Sequence, residues 1–393
     1  MQKFGIGWQI GGTTGWGVYG DALMQQGVRR GLLPIPVYVS QDSNLNPLEQ
    51  RVLAPFQRQW YIEQQLFSLG GGRGAHAPYP FLMGLGNNLA PAASVSHISG
   101  APEIGVVFFE HRNFEPSDVD IACNRFSKMI AGSSWNAEVL QDLGFPDVEF
   151  CPQGIDVTRF HPAPSSGILD DKFVIFSGGK LEFRKGQDIV IEAFRRFYKG
   201  HPDAVLMLAW HNHWEQSVNS VYMSPYGFGS PERMDDGETW KMTEWLMRQG
   251  LPASSVIDLG EVQHDQMPQL LREADIGVFP NRGEGGTNLV AMECMACGVP
   301  VILSDNTGHR DLLQNDGAAL RLSIQGGVHS DRVDDPSLFD DWGESDPDEI
   351  VAHLEWVYNN RTAARDVGAV GAKMMQAWSW PKKIDQLLGC IGL

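Results

Sequence analysis

The sequence predicts an α/β protein with parallel sheets, organised as two domains. Apolar runs of strand length alternate with stretches of helical periodicity, the pattern that βαβ units leave. A length of 393 residues favours two domains of roughly 150–200 residues over one. Near 155–172 the chain turns polar and proline-rich (His161-Pro-Ala-Pro-Ser-Ser-Gly167), which reads as a linker between the two sets of elements.

The elements follow in order. Before the linker, apolar runs predict strands at 4–10, 35–39, 81–84, 105–109, 129–131 and 148–151. Helical patterns fall between them, among others at 20–31 and 136–143. After it, strands are predicted at 173–177, 204–210, 256–259, 276–279, 299–303 and 318–320. Helices fit at 186–198, 239–249, 267–273, 289–297 and 350–359. Two stretches stand apart and read as surface insertions. Residues 211–238 are rich in aromatics, histidine and glycine, and 323–348 are dense in aspartate (Asp331, Asp334, Asp335, Asp340, Asp341, Asp346, Asp348). Those aspartates read as a solvated loop in preference to a metal site.

Composition narrows the function. A net charge of -18 argues against nucleic acid or an anionic membrane surface as the main partner, since both attract basic patches. The five cysteines (Cys123, Cys151, Cys294, Cys297, Cys390) are odd in number and scattered, so no disulfide framework is implied. Cys294 and Cys297 fall one helical turn apart, and with no second pair at ligand spacing they read as packing residues. No apolar run reaches the length of a transmembrane helix or of a signal peptide, and a soluble cytoplasmic protein is expected.

Three glycine-bearing junctions carry chemistry. In Asn281-Arg-Gly-Glu284-Gly-Gly-Thr-Asn-Leu-Val-Ala-Met-Glu293, followed by Cys294-Met-Ala-Cys-Gly298-Val-Pro300, carboxylates flank a glycine turn that opens a helix. A helix start aims free N–H groups at an anion, and carboxylates beside it suit a ligand with hydroxyls next to its phosphates. A nucleotide sugar is such a ligand. In Ser177-Gly-Gly-Lys180-Leu-Glu-Phe-Arg184-Lys185-Gly186, a strand ends in glycines and three cations follow. Glycine lets a diphosphate approach the backbone, and the cations neutralise it. The third junction, Gly11-Gly12-Thr13-Thr14-Gly15-Trp16-Gly17-Val18-Tyr19-Gly20, contains a literal G-x-G-x-x-G and so raises an NAD-dependent oxidoreductase. The first glycine of that match stands about four residues past the strand, and Asp42 is the only candidate ribose acid. The loop is therefore read as a flexible lid.

Taken in order, several segments resemble the retaining glycosyltransferases of family four, which have the GT-B fold. The Lys180 segment is similar to that family's phosphate-binding turn, and 284–300 to its paired-glutamate signature. Val256–Val262 and Leu271–Pro280 resemble the strand pair leading into that signature. Ser304–Asp311 resembles the glycine turn that closes over the donor, and Ile130–Leu140 and Pro152–Pro162 the family's approach between domains. Trp378-Ser-Trp380 resembles the start of a final crossing helix. The resemblance covers about 130–311 and the tail. It departs from the family in three respects: eight residues instead of seven separate Glu284 from Glu293, Lys180 stands where the family has arginine, which keeps charge but loses a bidentate donor, and residues 40–100 carry no resemblance.

The resemblance implies two facing Rossmann-like domains, about 1–160 and 170–375, with 376–393 returning to the first. It implies transfer of a hexose from a nucleotide diphosphate sugar to an acceptor hydroxyl, with retention and with no metal or other cofactor. Lys180 and Lys185 would hold the leaving diphosphate, with Arg184 as a helper. Glu284 would accept from sugar hydroxyls and Glu293 from ribose hydroxyls. Backbone N–H groups of Gly286, Thr287 and Asn288 would meet sugar or phosphate, and Gly11 and Gly12 would approach the phosphates. His111, with Glu110 as its neighbour, is the candidate near the reacting sugar. Non-hydrolysing sugar-nucleotide epimerases, which share the fold, and a catalytically silent nucleotide-sugar-binding subunit are the alternative readings.

Overall fold

The computed structural model describes residues 1–11, 14–39, 47–69, 74–237, 239–330 and 336–393. The chain divides into two units, Met1–Gly154 with Trp378–Leu393, and Ile155–Ala377.

The first unit holds a six-stranded sheet of β1 (Lys3–Ile10), β2 (Leu33–Val39), β3 (Phe81–Leu85), β4 (Glu103–Val107), β5 (Lys128–Ala131) and β6 (Val148–Phe150) in the order β2-β1-β3-β4-β5-β6. Every neighbouring pair is parallel. Phe4, Ile6, Phe81, Leu82, Ile104 and Val106 are buried, as expected where helices cover both faces of a parallel sheet. Helix α1 (Gly15–Arg29) follows β1, capped by Thr14, whose Oγ1 accepts the Gly17 N–H at 3.0 Å. Its early start corrects the lid reading of the third junction. Gly15 to Gly20 are the first turns of α1, and a Cβ on Gly17 would sit 2.0 Å from the Gly11 carbonyl oxygen. The glycine there serves close packing of helix on strand end. A short helix at Pro47–Leu53 and the helices α2 (Gln57–Leu69), α3 (Pro116–Arg125) and α4 (Ser134–Asp142) lie in the connections before the second unit.

In the second unit, β7 (Phe173–Gly178), β8 (Ala204–Ala209), β9 (Val256–Asp258), β10 (Ile276–Phe279), β11 (Val301–Ser304) and β12 (Leu320–Leu322) form an all-parallel sheet. Its order is β9-β8-β7-β10-β11-β12, so the chain winds outward one way from β7 and then the other way from β10. Helix α5 (Gln187–Tyr198) presses Ile189, Val190, Phe194 and Phe197 into the core with Phe173, Ile175, Leu206 and Ile276. Each such side chain contributes about 1.5–3 kcal/mol of transfer free energy. Helices α6 (Leu289–Ala296), α7 (Pro347–Asn359) and α8 (Arg361–Ala377) follow. The fold is thus two Rossmann-like α/β units, the building blocks that the resemblance implied.

Both stretches expected to be surface insertions are built into the second unit. Val218, Val221, Phe228 and Trp240 are buried in the same core, because an aromatic-rich segment loses too much apolar area if left in water. Helix 239–249 correspondingly shortens to Met242–Arg248. In the aspartate-rich stretch, Val328 and Phe339 pack on Phe183, Asp346 caps α7, and Asp348 pairs with Arg196. Asp331, Asp334 and Asp335 lie outside the described residues.

The last helix, α9 (Trp380–Cys390), belongs to the first unit. Trp380 stacks on Tyr19 with ring centroids 5.8 Å apart, and Asp385 accepts from Gln26 at 2.9 Å and pairs with Arg30 at 2.6 Å. The exposed ion pair adds little, so the aromatic contact carries the docking. Replacing Trp380 by Ala should cost the first unit about 3–5 kcal/mol, seen as a lower urea midpoint, whereas Arg30→Ala should shift that midpoint by less than about 1 kcal/mol.

Candidate functional site

Strand order reverses between β7 and β10, and open α/β sheets bind ligands beyond the carboxyl ends of the strands at such a reversal. The two loops leaving those ends are 179–186 and 280–288, the first two chemistry-bearing junctions of the sequence.

The first loop is shaped by glycine. Gly186 has φ +68° and a Cβ there would lie 2.3 Å from the Pro280 carbonyl oxygen, so any side chain would push the two loops apart. Lys180 is exposed, its Nζ 4.5 Å from the centroid of the Trp214 ring. Arg184 is buried and heavily engaged. It donates to the Gly283 carbonyl at 2.8 Å, to Glu284 Oε2 at 3.1 Å and to Glu182 Oε1 at 2.6 Å.

Glu284 is the centre of the second loop. Its carboxylate is bonded by Lys185 Nζ and Asn281 Nδ2 as well as by Arg184. Burial alone would raise its pKa, but Lys185 and then Arg184 outweigh burial and hold it at about 2. The Glu284 N–H donates to Thr307 Oγ1 at 2.7 Å, and Gly308 donates to the Glu284 carbonyl at 3.0 Å. A Cβ on Gly308 would stand 1.7 Å from the Gly286 oxygen, which explains glycine in that turn.

Helix α6 starts at this loop. Asn288 adopts φ +61° and caps the helix, accepting the Ala291 N–H. Its amide meets His309 Nε2 at 3.0 Å, and His309 Nδ1 meets Ser304 Oγ at 2.9 Å. Burial pushes the His309 pKa down to about 4, so this imidazole is neutral at physiological pH. Gly286 and Thr287 stand in the same turn, with Thr287 Oγ1 donating to Met292 Sδ at 3.1 Å. Glu293 lies one turn into α6 and pairs with His264 Nε2 at 2.7 Å. Burial lowers the His264 pKa, but the Glu293 charge overrides it and the net shift is upward.

Beneath both loops lies Arg282, whose side chain is fully buried. It grips Asp188 at 2.8 and 2.7 Å, Glu344 at 2.8 Å and the Phe183 carbonyl at 2.7 Å, with the Phe183 ring 3.8 Å from its guanidinium. Its backbone N–H donates to the Arg184 carbonyl at 2.7 Å. Burial disfavours the charge, yet Asp188 and Glu344 raise the pKa above the usual guanidinium value.

Of the residues singled out by sequence, Arg184, Lys185, Glu284, Gly286, Thr287 and Asn288 are brought together in these two loops and the helix start they lead into. Lys180 stands at the head of the first loop, and Glu293 is engaged by His264. Gly11 and His111 belong to the first unit, Gly11 at the end of β1 and His111 after β4, its ring 5.6 Å from Phe114. Burial lowers the His111 pKa. Gly12 lies outside the described residues. Sequence reasoning missed Arg282, Asp188, Asn281, His264, His309 and Glu344. Arg282 and Asn281 sat inside the quoted motif and His309 inside the following turn, but nothing in one sequence separates a buried arginine from a surface one.

Comparison with known proteins bears on the family and the fold. Residues 162–323 match the family model described as Glycosyl transferases group 1. A GDP-mannose-dependent monoacylated alpha-(1-6)-phosphatidylinositol monomannoside mannosyltransferase of Corynebacterium glutamicum is 25% identical over 251 residues, 60% of this chain and 53% of that one. A D-inositol 3-phosphate glycosyltransferase of Geodermatophilus obscurus is 25% identical over 247 residues, 60% of this chain and 45% of that one. The chain spans about half the length of these relatives. Among solved structures, HepE of Anabaena in complex with UDP and glucose aligns with a TM-score of 0.66 at 13% identity, over 99% of both chains. Sucrose-phosphate synthase of Thermosynechococcus elongatus aligns at 0.65 and 14%, over 98% of this chain and 97% of that one. At such identities the structures share the fold. Among the described residues no helix is long and apolar enough to cross a membrane.

Two outcomes follow from the buried charges. Arg282→Met strips Asp188 and Glu344 of their cation and should cost about 3–5 kcal/mol, read as a lower denaturation midpoint of the second unit. Glu284 is depressed in the folded state, so its stabilisation is complete above the unfolded carboxylate pKa near 4.5 and is lost as pH falls towards 2. Wild-type stability should decline over that window by on the order of 3 kcal/mol more than Glu284→Gln, measured by urea unfolding at each pH.

Proposed function

We propose that this chain, a member of the group 1 glycosyltransferase family through its second unit, moves a hexose from a nucleotide diphosphate sugar to an acceptor hydroxyl with retention of configuration. One observation carries the reading: Lys185, Arg184 and Glu284 converge with a helix start at the point where the second sheet reverses.

The chemistry follows from the residues. The diphosphate lies over the first loop, where Gly179 and Gly186 permit close approach. Lys185 and Lys180 then neutralise the charge that develops as the C1–O bond breaks. Stabilising a leaving group in this way is worth about two to three powers of ten in rate per donor. Helix α6 adds the dipole and N–H groups of its first turn. Glu284, kept ionised at physiological pH, accepts hydrogen bonds from the sugar hydroxyls, and Arg184 fixes the carboxylate's direction because its own donors are spent on Gly283, Glu284 and Glu182. Glu293, with His264 as its protein partner, takes the ribose hydroxyls.

The acceptor attacks from the face the diphosphate leaves, and the departing phosphate takes the acceptor's proton. The reaction as proposed uses the lysines and the helix start where other transferases use a metal. His111, or Glu110 beside it, is the first unit's group for the reacting sugar, and Gly11 and Gly12 its approach to the phosphates. The acceptor is a carbohydrate or another hydroxyl compound, and the setting is the cytoplasm.

The test is a thermal-shift screen of UDP, GDP, ADP and TDP sugars on the wild-type chain and on Lys185→Ala, followed by turnover with an acceptor panel. A donor at 100 times its dissociation constant adds about 2.7 kcal/mol, and Lys185→Ala should lose both that shift and at least about a hundredfold in turnover. Conversion of the sugar nucleotide without any acceptor would make the chain an epimerase instead. Stabilisation by a donor with no turnover on any acceptor would make it a silent subunit.

A further inference from the structure

The geometry points to a divalent transition-metal site of the zinc class formed by His211, His213 and Glu261 on the second unit, separate from the residues that hold the donor. The three side chains come from the ends of neighbouring strands. His211 and His213 follow β8 and Glu261 follows β9, and the two strands are still paired at Leu208 and Asp258 close to their ends. His211 Nε2 lies 3.3 Å from His213 Nδ1 and 3.7 Å from Glu261 Oε2, and His213 Nε2 lies 3.4 Å from Glu261 Oε1. One ligand atom from each residue falls within 4.8 Å of the others. Ligands about 2.0–2.2 Å from a tetrahedral zinc stand roughly 3.3–3.6 Å from one another, so small side-chain rotations bring these atoms onto a common ion.

The backbone between the histidines is already fixed. Asn212 is buried, donates to the Leu181 carbonyl at 3.0 Å, accepts the Trp214 N–H at 3.0 Å, and its carbonyl accepts from Trp240 Nε1 at 2.9 Å. Three bonds on the central residue of His211-Asn-His213 preorganise both imidazoles, which lowers the entropy that binding must overcome. Charge also suits a cation. Asp258 and Glu261 bring two carboxylates to His211, against the single guanidinium of Arg233, which stacks on Trp240 at 4.2 Å. A histidine pair with one carboxylate leaves the fourth position to water.

The test uses the full chain without a histidine tag, titrated with cobalt(II) and followed by absorption and calorimetry, beside His213→Ala and Glu261→Gln. Because His213 and Glu261 are more than half exposed, both variants should fold, and circular dichroism checks it. The expected result is a single cobalt ion per chain with the visible d–d band of four-coordinate cobalt, and binding at least about tenfold weaker in each variant. Cobalt bound without that band, uptake undiminished in both folded variants, or no uptake by the wild type overturns the site. Donor binding and turnover are read in other experiments, so the fate of this site and of the transferase reading are independent.

Discussion

A carboxylate removed from water stays ionised when cations stand against it, and the second unit meets that condition twice around the loops that follow β7 and β10. Glu284 is held by Lys185 and Arg184, and Asp188 with Glu344 by Arg282. The first pairing joins the loop after β7 to the loop after β10, and the second joins the loop after β10 to the first turn of α5 and to the segment around Glu344. Paired charges in a dry setting add little net stability over well-packed apolar residues. What they impose is geometry, since any displacement strands a charge whose desolvation is already complete.

The same constraint fixes which groups are available for chemistry. Arg184 and Arg282 have their donors committed to protein oxygens, while Lys180 is exposed and Lys185 reaches a carboxylate that a sugar could also approach. Two kinds of cation thus coexist in one small region, buried arginines that set shape and lysines nearer the surface. The sequence run Lys180-Leu-Glu-Phe-Arg184-Lys185 does not distinguish them. Only the fold, by turning Arg184 inward and leaving Lys180 outward, does so.

Most of the architecture was legible in the chain because parallel strands buried on both faces write themselves as apolar runs. All six strands expected in each half are present, with ends displaced by a residue or two where β-pairing stops short of the apolar run, as at β11 and β12. Helices α2 and α3 leave no such signal, since their apolar residues follow no clean stripe. The two supposed insertions misled for a common reason: histidine, glycine and aspartate mark a loop statistically, yet Trp240, Phe228 and Phe339 within or beside them seek the core. In the site, glycines and flanking charges located both loops. Glu344 could not be foreseen, because its partner Arg282 lies 62 residues away and only tertiary packing makes them neighbours.

The discontinuity of the first unit has a consequence for biosynthesis. Its sheet is encoded by residue 150, but α9 and the Trp380 indole that stacks on Tyr19 are encoded beyond all of residues 155–377. At ribosomal speed that interval lasts on the order of tens of seconds, during which Tyr19 has Trp8 and Phe108 against it but lacks the Trp380 ring. A nascent polypeptide of this design therefore carries a nearly finished domain that closes only after the whole of the second unit has been translated.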